Sequence, residues 1–118
     1  MMITQALRYL EAIKTAAPVA PFFASGASIV SHKLGRMTVT EYDTRLLDPP
    51  ADISAISVGD VHAVGNLLSL HIELALRSAE KLHYVDLFEF DNARLISKLY
   101  LCRVSNHAFR PGKWLARI

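Results

Sequence analysis

Three observations predict an α+β fold. A helical apolar period opens the chain, a period of two takes over from residue 53, and helices come first with strands after them. A chain of 118 residues has room for one compact domain, which buries about 65% of its unfolded surface. The composition, 52% hydrophobic and 20% charged, fits a packed core and excludes a disordered chain. The reading is one domain over residues 1–118, ending in a basic tail over 105–118.

The elements follow in order. Ile3, Leu7 and Leu10 make one apolar row and Met2, Ala6, Tyr9 and Ile13 the next, which predicts a helix over residues 3–16 with Thr4 as its cap. Pro18 stops it, because the residue before a proline is pushed out of the α region. A short second helix is expected next, with Phe22 and Phe23 as its apolar side chains and Gly26 as its terminator. Residues 27–32 read as a strand. Residues 40–47 suit a short helix capped by Thr38 or Thr40 and ended by Asp48-Pro49-Pro50. Extended segments are expected over 53–58 and 61–77, the latter interrupted near Gly65-Asn66. Two more, over 82–90 and 94–104, join at Asp91-Asn92, a sequence suited to a tight hairpin. The tail, with Pro111-Gly112 in its middle, either folds back or stays loose.

Charge and cysteine content exclude several classes. Cys102 is the single cysteine, so no intramolecular disulfide and no multi-cysteine zinc cluster can form. No apolar run approaches the roughly 18 residues that a membrane span requires. Arg8 and Glu11 interrupt the N-terminal apolar stretch, which does not read as a signal peptide. A cytoplasmic protein is expected, with no membrane partner. Residues 1–93 carry seven basic residues against all eleven acids, a balance of −4, whereas Arg94, Lys98, Arg103, Arg110, Lys113 and Arg117 face no acid. Such a basic quarter suits a solvated surface or an anion; nucleic acid is not the expected partner.

The strand faces are the most informative feature. Leu68, Leu70, Ile72, Leu74 and Leu76 alternate with Ser69, His71, Glu73 and Ala75, which places the two sets on opposite sides of a sheet. Val85 and Leu87 likewise oppose Tyr84, Asp86, Phe88 and Phe90. Leu95, Leu99 and Leu101 oppose Ile96, Lys98, Tyr100 and Cys102. The mixed sets carry too many aromatic side chains to lie in solvent. Both faces are therefore expected to be covered, one by helices around a pocket and the other by a second subunit.

The segments "ALRYLEAI", "FFASGASIV" and "HYVDLFEFDNARLISKLYL" resemble the nuclear transport factor 2-like superfamily, which includes the SnoaL-like polyketide cyclases and the ketosteroid isomerases. The most specific piece is the run of aromatic, Asp, Phe and Phe before a turn and an apolar strand, from Tyr84 to Tyr100. The resemblance implies a cone-shaped curved mixed β-sheet wrapped around N-terminal helices, a cystatin-like fold with a deep pocket and no cofactor. It also implies a homodimer through the outer sheet face, here Leu70, Ile72, Leu74, Leu99 and Leu101. The pocket would then hold His71, Glu73, Tyr84, Phe88, Lys98 and Tyr100 against a small apolar molecule. Tyr9 and Asp86 fall where the isomerases place the tyrosine and the protonated aspartic acid of their oxyanion hole. The aspartate base of those enzymes has no counterpart, since Ser31 and His32 occupy its neighbourhood.

His32 is the base candidate, because an imidazole with a pKa of about 6.5 suits proton abstraction at neutral pH. Tyr9 and Asp86 would supply stabilising donors. If they line the cavity, Glu73 is expected to pair with Lys98 or His71 and the cluster to bind the polar end of a ligand or act as an acid/base pair; otherwise the three form a solvated face. The spacing of His71 and Glu73 is poor for a metal, and none is expected. Two functions remain open on this reading. One is an isomerase- or lyase-type proton-transfer enzyme acting on a small apolar ligand; the other is a non-catalytic ligand-binding or dimeric module of the same fold.

Overall fold

The computed structural model describes residues 1–47, 52–105 and 114–118. Helix α1 (Met2–Lys14) opens the chain and buries Ala6, Tyr9 and Leu10, as the apolar rows require. The expected Thr4 cap is not used; Met1 is the N-cap residue and no side chain bonds there. The helix ends before Pro18, at Lys14, and Ala16 turns the chain with φ 57°.

The second helix shrinks to a single 3-10 turn at Ala20–Phe22, and Phe23 already begins strand β1 (Phe23–Ser31). Gly26, expected as a helix terminator, instead lies within β1 at φ +74°, where the pairing register shifts between Phe23 and Ser28. That irregularity lets the strand bend. A short strand β2 (Gly35–Thr38), absent from the sequence reading, pairs back on β1. Helix α2 (Val39–Leu47) follows, with a capping box at its start. Glu41 N–H donates to Thr38 Oγ1 at 3.2 Å, and Thr38 N–H donates to Glu41 Oε1 at 3.1 Å. The Asp43 carboxylate accepts from Val19 N–H at 2.7 Å and Ala20 N–H at 3.1 Å, which ties α2 to the 3-10 turn.

Strands β3 (Ile53–Val64), β4 (Leu67–Leu76), β5 (Lys81–Phe90) and β6 (Ile96–Val104) form a meander. The two segments expected before Gly65 are one strand, bulged at Asp60 with φ 33°. Asp91 closes the β5–β6 turn, its Oδ1 accepting from Ala93 and Leu95 N–H at 2.9 Å each. The tail folds back as β7 (Trp114–Arg117), antiparallel to β3. Arg110 and Lys113 of the basic tail lie outside the described residues. The result is a seven-stranded curved mixed sheet in the order β2-β1-β6-β5-β4-β3-β7, with only β1–β6 parallel. The α+β class is therefore observed. No helix among the described residues is long and apolar enough to cross a membrane.

The pairing register corrects the assignment of faces. Leu70 lies opposite Asp86 and Ile72 opposite Tyr84, while Leu101 lies opposite Asp86 from the other side. Directly opposite residues share a face. The leucine row and the Tyr84–Asp86–Phe88 set thus point the same way, toward α1. Leu70, Ile72 and Leu99 are at most 2% exposed inside the core, and Leu74 and Leu101 are half-buried beside them. These five residues cannot form the outer surface of a dimer. The opposite face of the same strands carries Val85, Leu87 and Tyr100. Ile96 also joins the core, because a register shift between Glu89 and Phe90 inserts one residue into β6.

Candidate functional site

The concave face of the sheet and the two helices leave a cavity of about 360 Å³. Its walls are aliphatic: Leu10 and Ile13 from α1, Met37 from β2, Ile72 and Leu74 from β4, Leu101 from β6. It opens where its lining residues are exposed, at Leu34, Arg45 and Asp52. The polar groups on its wall are few: the hydroxyls of Tyr9, Tyr42, Tyr84 and Ser31, the Asp86 carboxyl, and the Arg45 and Asp52 side chains at the mouth. An apolar chamber with a few convergent polar groups is the general form of a small-molecule site.

Asp86 is the chemically unusual member. It is 4% exposed, and its Oδ1 is buried with no hydrogen-bond partner. Its cross-strand neighbours on this face are Leu70 and Leu101, which cannot bond to it. Burial therefore pushes its pKa up to about 8. At pH 7 the side chain is mostly a neutral carboxylic acid, with about one-tenth ionised. One residue thus offers an O–H donor and, at a cost small enough for catalysis, a base.

The tyrosines form the second feature. Tyr9 on α1 and Tyr42 on α2 share a short hydroxyl–hydroxyl hydrogen bond. Burial, followed by the proximity of Tyr42 and Asp86, raises the Tyr9 pKa well above its usual value. Burial likewise raises Tyr42, whose bond to Tyr9 partly offsets the effect. Both phenols stay neutral at any ordinary pH. Once one donates to the other, a single O–H remains for a ligand. Phe23 and Phe88 hold the Tyr9 ring edge-on, with centroids 5.8 and 5.7 Å away.

The structure brings together Tyr9, Tyr84 and Asp86 and separates the rest of the expected set. Phe88 is fully buried behind Tyr9 and supports it without lining the cavity. His32 sits exposed in the β1–β2 turn and is not among the residues that line the cavity. His71, Glu73, Lys98 and Tyr100 point away from the cavity, because they alternate with its wall residues. His71 lies 3.8 Å from Asp60, and Lys98 sits over the Tyr100 ring at 5.8 Å. The partner of Glu73 is neither His71 nor Lys98 but His83, at 2.9 Å across the β4–β5 ladder. Among the described residues no cluster of His, Cys, Asp or Glu is arranged to hold a metal ion. Tyr42 was missed by sequence reasoning, since an isolated tyrosine on a short helix gives no sign of a partner 33 positions away.

No family model matches the sequence, and no curated protein matches it. Solved structures do match in shape. An NTF2-like protein of unknown function from Burkholderia xenovorans LB400 is 13% identical, covers 94% of this chain and 87% of its own, and superposes with a TM-score of 0.75. A SnoaL-like protein of unknown function from Burkholderia thailandensis is 16% identical over 88% of this chain and 95% of its own, with a TM-score of 0.69. The epoxide hydrolase/cyclase-like enzyme SalBIII, which has a role in pyran ring formation in the polyether salinomycin, is 14% identical over 87% and 90%, with a TM-score of 0.61. The chain therefore has the nuclear transport factor 2-like fold, in the form shared with SnoaL-like proteins.

Proposed function

We propose that this protein binds a small, largely apolar ligand in the cavity and moves a proton on it through Asp86. The carrying observation is the buried Asp86 carboxyl on a mostly apolar wall, with no hydrogen-bond partner for its Oδ1 among the described residues and a pKa raised to about 8. Its ionised fraction takes a proton from carbon next to a ligand carbonyl. The Tyr9–Tyr42 pair donates its remaining O–H to the oxygen on which charge develops, and the proton held by Asp86 is then returned to carbon. Isomerisation fits that sequence directly, and cyclisation or dehydration uses the same acid in its neutral form. SalBIII, a cyclase-like enzyme of the same fold, supports this choice of reaction class.

Cyclic enones and 1,3-diketones in deuterated water provide the test. The wild type should introduce solvent deuterium next to the carbonyl faster than buffer does, with a rate that rises with pH and levels off above about 8. Asp86→Asn keeps shape and a hydrogen-bond donor but cannot accept the proton, so exchange should fall by roughly 10²-fold or more. Exchange no faster than buffer, or full activity in Asp86→Asn, overturns the reading. Binding of the probes without exchange points to a ligand carrier of the same fold.

A further inference from the structure

The cavity places its charges unevenly, and this unevenness selects a kind of ligand. The deep wall carries no fixed charge at neutral pH, since Asp86 is mostly protonated there and the tyrosines are neutral. Charge is confined to the mouth. Asp52 is spoken for: its Oδ1 accepts from Arg77 Nε at 2.7 Å. Arg45, in the last turn of α2, lines the opening and has no ion pair among the described residues. Glu41, one turn earlier on the same helix, feels the Arg45 charge, but its Oε1 accepts from Thr38 N–H in the capping box and the two make no ion pair within 4 Å. A second cation, Arg103, lies over the ring of the wall residue Tyr84, 5.6 Å from its centroid. The opening thus offers one guanidinium, Arg45, beside an Asp52 carboxylate already held by Arg77.

We infer that the ligand is an amphipathic acid, with an apolar body in the cavity and a carboxylate held at the mouth by Arg45. This rests on the reading of the cavity as a ligand site and deepens it by naming the substrate class. An arginine fork matches a carboxylate in two parallel hydrogen bonds. The reverse orientation is excluded by the deep wall, where a carboxylate would be desolvated among leucines and would repel any ionised Asp86. Anchored at the mouth, the ligand presents its neutral end to Asp86 and the Tyr9–Tyr42 pair. The volume of about 360 Å³ lies at the lower end of the roughly 300–1,000 Å³ of small-molecule pockets, so the body is compact.

Calorimetric titration of the full chain with naphthylacetate and its neutral isostere naphthylacetamide tests this. The acid should bind roughly fivefold or more tightly than the amide, the effect expected of a partly exposed charge pair. Arg45→Gln should remove that preference by weakening the acid far more than the amide, and raising the salt concentration should do the same in part. Equal binding of acid and amide by the wild type overturns the inference but leaves the pocket reading standing, as does Arg45→Gln weakening both alike. If neither probe binds, or if both still bind when Leu74→Trp fills the cavity, the pocket reading falls and this inference falls with it.

Discussion

The two faces of the β4–β5–β6 sheet are built from the same strands, yet they do different work. The inner face carries Leu68, Leu70, Ile72, Phe88 and Leu99, all at most 2% exposed, with a single carboxyl among them. That carboxyl, Asp86, has no partner for its Oδ1 and keeps its proton. The outer face also holds a carboxylate on a strand, Glu73, but its Oε2 meets His83 at 2.9 Å and Lys81 lies 4.0 Å from its Oε1. Identical chemistry, an acid on a strand, is thus paired and structural on one side and unpaired and available on the other. A buried polar group costs stability unless it is bonded, so Asp86 is held at a cost that Glu73, bonded to His83, does not carry.

The comparison breaks most visibly at a leucine. Leu70→Glu places a charge in the core opposite Asp86 and should abolish folding, a loss of about 4 kcal/mol or more. Leu87→Glu, on the other side of the same sheet, should leave a cooperative thermal transition. Circular dichroism melts of the two variants decide whether the faces are assigned correctly. A folded Leu70→Glu protein would reverse the assignment.

A second experiment concerns Asp86 itself. Its folded pKa of about 8 lies above the unfolded value near 3.8. Between those two pH values the folded state holds the proton and the unfolded state has lost it, so stability falls as pH rises from about 4 to 8 and then levels off. Asp86→Asn removes that dependence. It should melt higher than the wild type at pH 8, with the gap narrowing toward pH 4, and a variant less stable at every pH would show that the acid has a partner after all.

The smallest effects separate the cavity from its surroundings. Tyr42→Phe deletes the bond to Tyr9 and should cost about 1 kcal/mol, together with roughly tenfold in deuterium exchange. His32→Ala, in the exposed turn, should change neither stability nor exchange. A drop of tenfold or more with His32→Ala would restore the histidine as the base and move the reaction centre toward the β1–β2 turn.

Much of the fold was legible because its signals are local. Apolar spacing over residues 3–16, a threonine cap at Thr38 (one of the two expected) and the Asp91 turn each act within a few residues, and each appears in the structure close to its expected place. Gly26 misled because a glycine at positive φ ends a helix and kinks a strand equally well. The site was legible in part. Tyr9, Tyr84 and Asp86 line the cavity, whereas His71, Glu73, Lys98 and Tyr100 lie on the opposite side of their strands.

By itself the sequence determined that this chain mixes an N-terminal helix with later strands and, where no bulge intervenes, which residues on a strand share a side. Period two sorts side chains into opposite sets but is silent on which set of one strand joins which set of the next. Only the inter-strand register, Leu70 to Asp86 and Asp86 to Leu101, and the landing of α1 on that side decided it. The same long-range pairing brought Tyr42 to Tyr9 and left Asp86 without a partner, because those contacts are made between elements distant in the chain.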